Sequence, residues 1–97
     1  MFTMIRKYRF DSSQRDRVTR AIEETFVGRL KEQQWFNGYY VVIEGDTLFS
    51  ITVGDDRQGV ENSAQMAADF IQEELSDVDI ERLEATTGEV AVNAPAD

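Results

Sequence analysis

Four polar side chains, Asn37, Tyr39, Ser50 and Thr52, lie inside two otherwise apolar segments, FNGYYVVIE (36–44) and TLFSITV (47–53). The intervening Gly45-Asp46 is a turn sequence, so the two segments read as a hairpin. A two-residue turn pairs Glu44 with Thr47, and a four-residue loop pairs Ile43 with Leu48; both give one register. Side chains alternate along a strand, so all four polar groups project from the same face. An amide, a phenol and two hydroxyls grouped in this way can hold the oxygens of a small aromatic ligand while Val41 and Leu48 pack its rings. The same groups can instead hydrogen-bond across a seam between two copies of the chain. Arg6 stands in the middle of the alternation Met4, Arg6, Tyr8, Phe10. It either pairs with a carboxylate of the last strand, Glu84 or Glu89, or meets a ligand anion, and the pattern leaves its sheet face open. Trp35, just before the second strand, is either a pocket-mouth residue or a core or interface anchor. Met66 and Phe70, at helical spacing, border the same cavity or simply pack.

The residue types that are missing narrow the chemistry further. The chain has no cysteine and no histidine. Disulfides are therefore excluded, as is the commonest metal ligand and near-neutral acid–base group. Ser12, Ser13, Ser50, Ser63 and Ser76 have no histidine to activate them, which excludes a Ser–His–Asp triad. Gly54 and Gly59 stand alone and form no phosphate-cradling loop. The acidic run Glu73, Glu74, Asp77, Asp79, Glu81 matches no calcium-loop spacing and reads as a solvated face. Neither a metal nor an organic cofactor is expected.

With 97 residues the chain makes one small domain, expected over 1–93 with a loose tail at 94–97. Its net charge is −9, distributed as +3 over residues 1–34 and −12 over residues 35–97. An acidic surface repels phosphate backbones, so nucleic acid is not an expected partner. Only Lys7 and Lys31 among the ten basic residues are lysine, a composition like that of proteins from salt-loving microbes. No run approaches the ~20 apolar residues that cross a bilayer. The opening MFTMIRKYRF lacks a signal-peptide core, and a cytoplasmic location is expected.

These groups must be positioned by a short list of elements. FTMIRKYRF (2–10) is rich in β-branched and aromatic residues and predicts a first strand. Asp11-Ser12-Ser13 supplies capping oxygens for a helix that runs to Gln33 or Gln34. Its apolar stripe is Val18, Ala21, Ile22, Thr25, Phe26 and Leu30. The hairpin follows, then a helix over roughly 57–75 whose stripe is Val60, Ala64, Ala67, Ala68, Ile71 and Leu75. A last strand is predicted from Ile80 to Val92, with Gly88 as a bulge or crossing point. The order β-α-β-β-α-β with right-handed crossovers predicts the ferredoxin-like α+β arrangement, an antiparallel four-stranded sheet with both helices on one face. Of the hairpin's two faces, Gly38, Tyr40, Val42, Phe49, Ile51 and Val53 are almost wholly apolar and are expected beneath the helices. The other set, Asn37, Tyr39, Val41, Ile43, Leu48, Ser50 and Thr52, is then a cavity wall or dimer seam. Strands apolar on both faces require two covers. Two helices supply one, and a second copy packed sheet to sheet supplies the other.

In this order and spacing, IRKYRF, EQQWFNGYYVV, ITVGDDRQGVENSAQMAADFI and TTGEVAV resemble the small dimeric α+β-barrel proteins of the antibiotic-biosynthesis monooxygenase superfamily. The resemblance spans roughly residues 4–92 and is nearest to members without an assigned activity. It implies two ferredoxin-like protomers packed sheet to sheet, with a pocket between sheet and helices or at the sheet interface. It also implies two readings of function. One is a non-catalytic or small-ligand-binding homodimer of unassigned role. The other, if the chain is an enzyme, is a cofactor-independent monooxygenase acting on a quinol-type or phenolic compound, with Asn37, Tyr39 and Arg6 orienting it. A haem-degrading branch ligates iron through histidine, which this chain lacks. The oxygenase reading calls for a cavity of about 300 Å³ or more, open to solvent and lined by Asn37 and Tyr39.

Overall fold

A computed structural model describes residues 1–96; Asp97, part of the expected tail, lies outside the described residues. Strand β1 spans Phe2–Phe10, β2 Phe36–Glu44, β3 Thr47–Gly54 and β4 Ile80–Glu89. The first helix, α1, runs continuously through Arg15–Ala21, a π-helical stretch Ile22–Phe26 and Val27–Lys31, after a short 3₁₀ turn at Ser12–Gln14. The second helix, α2, spans Arg57–Glu74. All strand pairs are antiparallel and the sheet order is β2-β3-β1-β4, the ferredoxin-like arrangement. Residues 90–96 belong to no helix or strand.

Local chemistry accounts for the element boundaries. The Asp11 carboxylate accepts from the Ser13 amide, and the Asp56 carboxylate from the Gln58 amide, so each helical segment starts on an acidic cap. Gly45 takes φ +60° in the two-residue turn, a conformation open to glycine at little steric cost. Glu44 then pairs with Thr47 and Ile43 with Leu48, the register the sequence predicts. Within α1 the Val27 amide bonds the Ile22 carbonyl five residues back. That wider turn rotates the helix so that Val18, Ile22, Phe26 and Leu30 all stay buried.

The structure corrects the expected facing of the sheet. Met4, Arg6, Tyr8 and Phe10 of β1, with Leu48, Ser50 and Thr52 of β3, are buried beneath the helices. Tyr39, Val41 and Ile43 of β2 pack against the same core. The set expected inside faces away: Tyr40 is 63% exposed and Val42 50%, on the same side of the sheet as Ile5 of β1 at 39%. β1 decides this outcome. Its large apolar residues share a face with Arg6, whereas Thr3, Lys7 and Arg9 occupy the opposite one, and cross-strand pairing of Arg6 with Ser50 carries that choice to β3.

Other boundaries shift less. β4 ends at Glu89, short of Val92. Its irregularity falls opposite Lys7 and Tyr8, where Lys7 pairs Glu84 and Tyr8 pairs Arg82, while Gly88 pairs regularly with Thr3. The buried stripe of α2 is Gly59, Val60, Ser63, Ala67 and Phe70. Ala68 is exposed and Phe70, expected at the margin, is core.

Candidate functional site

Arg6 lies at the centre of the covered sheet face and is wholly buried. Its position follows from strand alternation, since Tyr8 two residues on and Ser50 directly across share its face. The guanidinium donates to three neutral oxygens: Nε to Tyr8 Oη at 3.1 Å, Nη1 to Ser63 Oγ at 2.9 Å and Nη2 to Ser50 Oγ at 2.8 Å. Ser63 comes from α2 and passes its own proton to the Val60 carbonyl. The Tyr39 hydroxyl lies 2.7 Å from Ser50 Oγ and extends the network to β2. Five side chains from β1, β2, β3 and α2 thus form one connected polar cluster under an apolar roof.

The electrostatics of this cluster are unbalanced. The ion pairs of the described residues engage Arg9, Arg17, Arg29 and Arg57, and none engages Arg6. The expected pairing of Arg6 with Glu84 or Glu89 does not form. Those carboxylates sit opposite Lys7 and Phe2 on the strand edge, while the Arg6 side chain turns beneath the helices. A buried ion without a partner of opposite charge is expensive. Burial also raises the Tyr39 pKa above its usual 10.0, against the opposing pulls of the Ser50 hydrogen bond and the Arg6 charge. Tyr39 is therefore a neutral phenol at physiological pH. Thr52, also wholly buried, leaves its Oγ1 without a hydrogen-bond partner.

A cavity of about 30 Å³ adjoins the cluster. Tyr8, Tyr39 and Ser50 supply its polar wall, and Phe26, Leu48 and Phe70 are among its apolar lining. Phe26 meets Tyr39 edge-on at 5.5 Å and Phe70 at 5.2 Å, which holds the roof in place. Two surface clefts flank the chamber. One, about 420 Å³, lies between α2 and β4 and shares Tyr8, Ile71 and Ile80 with it. The other, about 290 Å³, lies between α1 and β2 and shares Ile22 and Tyr39. The chamber is a tenth of the volume an oxygenase pocket calls for, and Asn37 is not part of it.

Of the six predicted site residues, the structure brings Arg6, Tyr39 and Ser50 into contact and places Thr52 on the same buried face. Asn37 and Trp35 are elsewhere. A register shift between Phe36 and Gly38 turns Asn37 out of the alternation, and its amide donates to Asp55 Oδ1 at 2.7 Å on the surface. Trp35 packs over Gly54 and Gly59, where an added Cβ would lie 2.7 and 2.4 Å from the indole. It ties the start of β2 to the start of α2. Met66 packs at the edge of the core and lines neither the chamber nor the flanking clefts, whereas Phe70 lines the chamber. Tyr8 and Ser63 escape the reading of the hairpin alone. The signal for Tyr8 was its two-residue spacing from Arg6; Ser63, on a helix distant in sequence, offered none.

No family model matches the chain, and no curated protein matches it. Solved structures do. HapK from Hahella chejuensis is similar over 100% of both chains, with a TM-score of 0.75 and 18% identity. Protein Atu4242 from Agrobacterium tumefaciens is similar over 98% of each chain, with a TM-score of 0.66 and 22% identity. NE2512, a protein of unknown function from Nitrosomonas europaea, covers 99% of this chain with 95% of its own, at a TM-score of 0.64 and 11% identity. What they share with this chain is the fold. Among the described residues no helix is long and apolar enough to cross a membrane, and no cluster of acidic side chains is arranged to hold a metal ion.

Proposed function

We propose that residues 1–93 form a small-ligand-binding domain of the antibiotic-biosynthesis monooxygenase-like superfamily, acting in the cytoplasm as a homodimer joined sheet to sheet. Its ligand site is the chamber between sheet and helices. Tyr8, Tyr39 and Ser50 line it, Arg6 backs them through its hydrogen bonds to Tyr8 and Ser50, Thr52 lies on the same buried face outside the lining, and Asn37 and Trp35 have structural roles. The observation that carries this reading is Arg6, a buried cation whose hydrogen-bond partners are all neutral hydroxyl groups. An arginine kept for stability alone would gain from a carboxylate partner or from replacement by an apolar side chain. Thr52 Oγ1, buried without a hydrogen-bond partner, is a second polar group on that face that the fold itself does not satisfy.

The homodimer rests on the uncovered face, where Ile5, Tyr40 and Val42 are exposed and Phe49, Ile51 and Val53 only half-buried. Such a contiguous apolar face is a protein–protein surface. A two-fold pairing of like faces closes it without leaving a second patch open.

The alternative enzymatic reading has one observation in its favour. A fixed positive charge and phenolic donors beside an apolar cavity stabilise a substrate anion, the species that reacts with O₂ in cofactor-free oxygenation. There a ring methylene becomes a carbonyl and the second oxygen atom leaves as water. For a quinol-sized substrate the helices must move apart, because the chamber holds only about 30 Å³.

The test is ligand-detected and protein-detected NMR against a panel of small phenols, quinols and aromatic acids. Shifts at Tyr8, Tyr39 and Ser50 amides are expected. A panel without a single binder at millimolar concentration contradicts the binding reading, and oxygen uptake with any binder would establish the enzymatic one.

A further inference from the structure

We infer that the ligand is a small carboxylate with a flat apolar body, entering by the cleft between α2 and β4. The inference rests on the small-ligand reading and adds the ligand's charge and its route. A proton inventory supports the charge. Tyr8 Oη accepts from Arg6, and its own proton has no acceptor among the described residues although the ring borders the chamber. Ser50 and Tyr39 hold two hydroxyl protons between them and use one in their mutual hydrogen bond. The other is left to donate, since Ser50 accepts from Arg6. The polar wall therefore presents two spare O–H donors, backed by a full positive charge.

Two donors backed by a cation match the two oxygens of a carboxylate. A neutral quinol would leave the Arg6 charge as uncompensated as it is in the free protein. A carboxylate, ionised at neutral pH without assistance, cancels it. Size and charge then fix the route. About 30 Å³ admits a head group of roughly two water volumes, so the apolar body must lie in an adjoining cleft. The α2/β4 cleft shares Tyr8 with the chamber and is walled by Ala64, Ala68 and Ile71. Arg82 is its one charged lining residue, and it forms no ion pair among the described residues. The opposite cleft carries both Arg15 and Glu23, which offset each other. On a chain of net charge −9, the Arg82 mouth is the entrance that attracts an anion.

Calorimetric titration of the intact protein with 2-naphthoate and with its neutral isostere 2-naphthamide tests the charge. Naphthoate is expected to bind at least tenfold more tightly. Arg82→Gln, an exposed substitution that leaves the fold intact, is expected to weaken naphthoate about threefold and leave naphthamide unchanged. Tyr8→Phe is expected to remove most of the naphthoate preference. Equal affinity for the two compounds overturns the carboxylate assignment and leaves the small-ligand reading standing. Failure of both, and of every phenol and quinol in the panel, overturns the two together. Amide shifts on naphthoate binding at Val41 and Ile43, in place of Ile71 and Ile80, overturn the route.

Discussion

The two faces of the sheet reverse the usual allocation of residues. The covered face holds an arginine, two serine or threonine hydroxyls and two tyrosines amid its apolar residues, while the open face displays Ile5, Tyr40 and Val42 to solvent. On the hairpin alone, burial of apolar area would favour putting the open face under the helices, and β1, with Met4, Tyr8 and Phe10 opposed to Thr3, Lys7 and Arg9, overrides it. The chain thus encloses a polar cluster with an uncompensated charge and leaves an apolar surface exposed. In the proposed function the covered face serves a ligand and the open one a second copy, so perturbing them should have different consequences.

The largest effect is expected on the covered side. Phe26→Ala removes a ring that packs on Tyr39 and Phe70. It should cost about 3–5 kcal/mol in chemical denaturation. Ser63→Ala deprives Arg6 Nη1 of its acceptor at 2.9 Å. The expected loss is about 1–3 kcal/mol, because a buried charged donor is left unmet. On the open side, Val42→Asp should change the stability of the protomer by less than about 0.5 kcal/mol. It should nevertheless abolish association in sedimentation velocity, since a two-fold interface brings like charges together. If Val42→Asp unfolded the protomer as Phe26→Ala does, the contrast between the faces would fail.

A smaller effect concerns pH. The buried Tyr39 phenol ionises at higher pH in the folded chain than the 10.0 of an exposed one. Below that value both states hold the proton and stability does not vary on its account. Above it the unfolded chain releases a proton that the folded chain retains, so stability falls as pH rises. Urea midpoints between pH 8 and 11 should therefore decline more steeply for the wild type than for Tyr39→Phe. Parallel curves would show that Tyr39 is not buried as described.

Topology, hairpin register and the Asp11 cap were legible in the sequence because each rests on local chemistry: strand alternation, a Gly-Asp turn, and oxygens beside free amides. The facing of the hairpin was not. Its two residue sets differ by a few hydroxyl groups, and the deciding information lay on β1, where Lys7 and Arg9 oppose Arg6. Without the cross-strand pairing of Arg6 to Ser50, that asymmetry could not be carried over to β3. Asn37 was misplaced because one register shift reverses the side on which a strand residue emerges. Trp35 was ambiguous because its partners, Gly54 and Gly59, are identified by the absence of a side chain.

Whether the Arg6 charge belongs to a ligand or to the fold is asked directly by thermal unfolding of Arg6→Met in the ligand-free protein. Methionine fills a similar volume without the charge, and Ser50 and Ser63 keep their hydrogen bonds to Tyr39 and Val60. A melting temperature equal to or above that of the wild type is expected, as for a buried charge kept at the expense of stability. A fall of about 5 °C or more, roughly 1 kcal/mol for a domain of this size, would show that the guanidinium holds the fold together and would contradict the ligand-binding account.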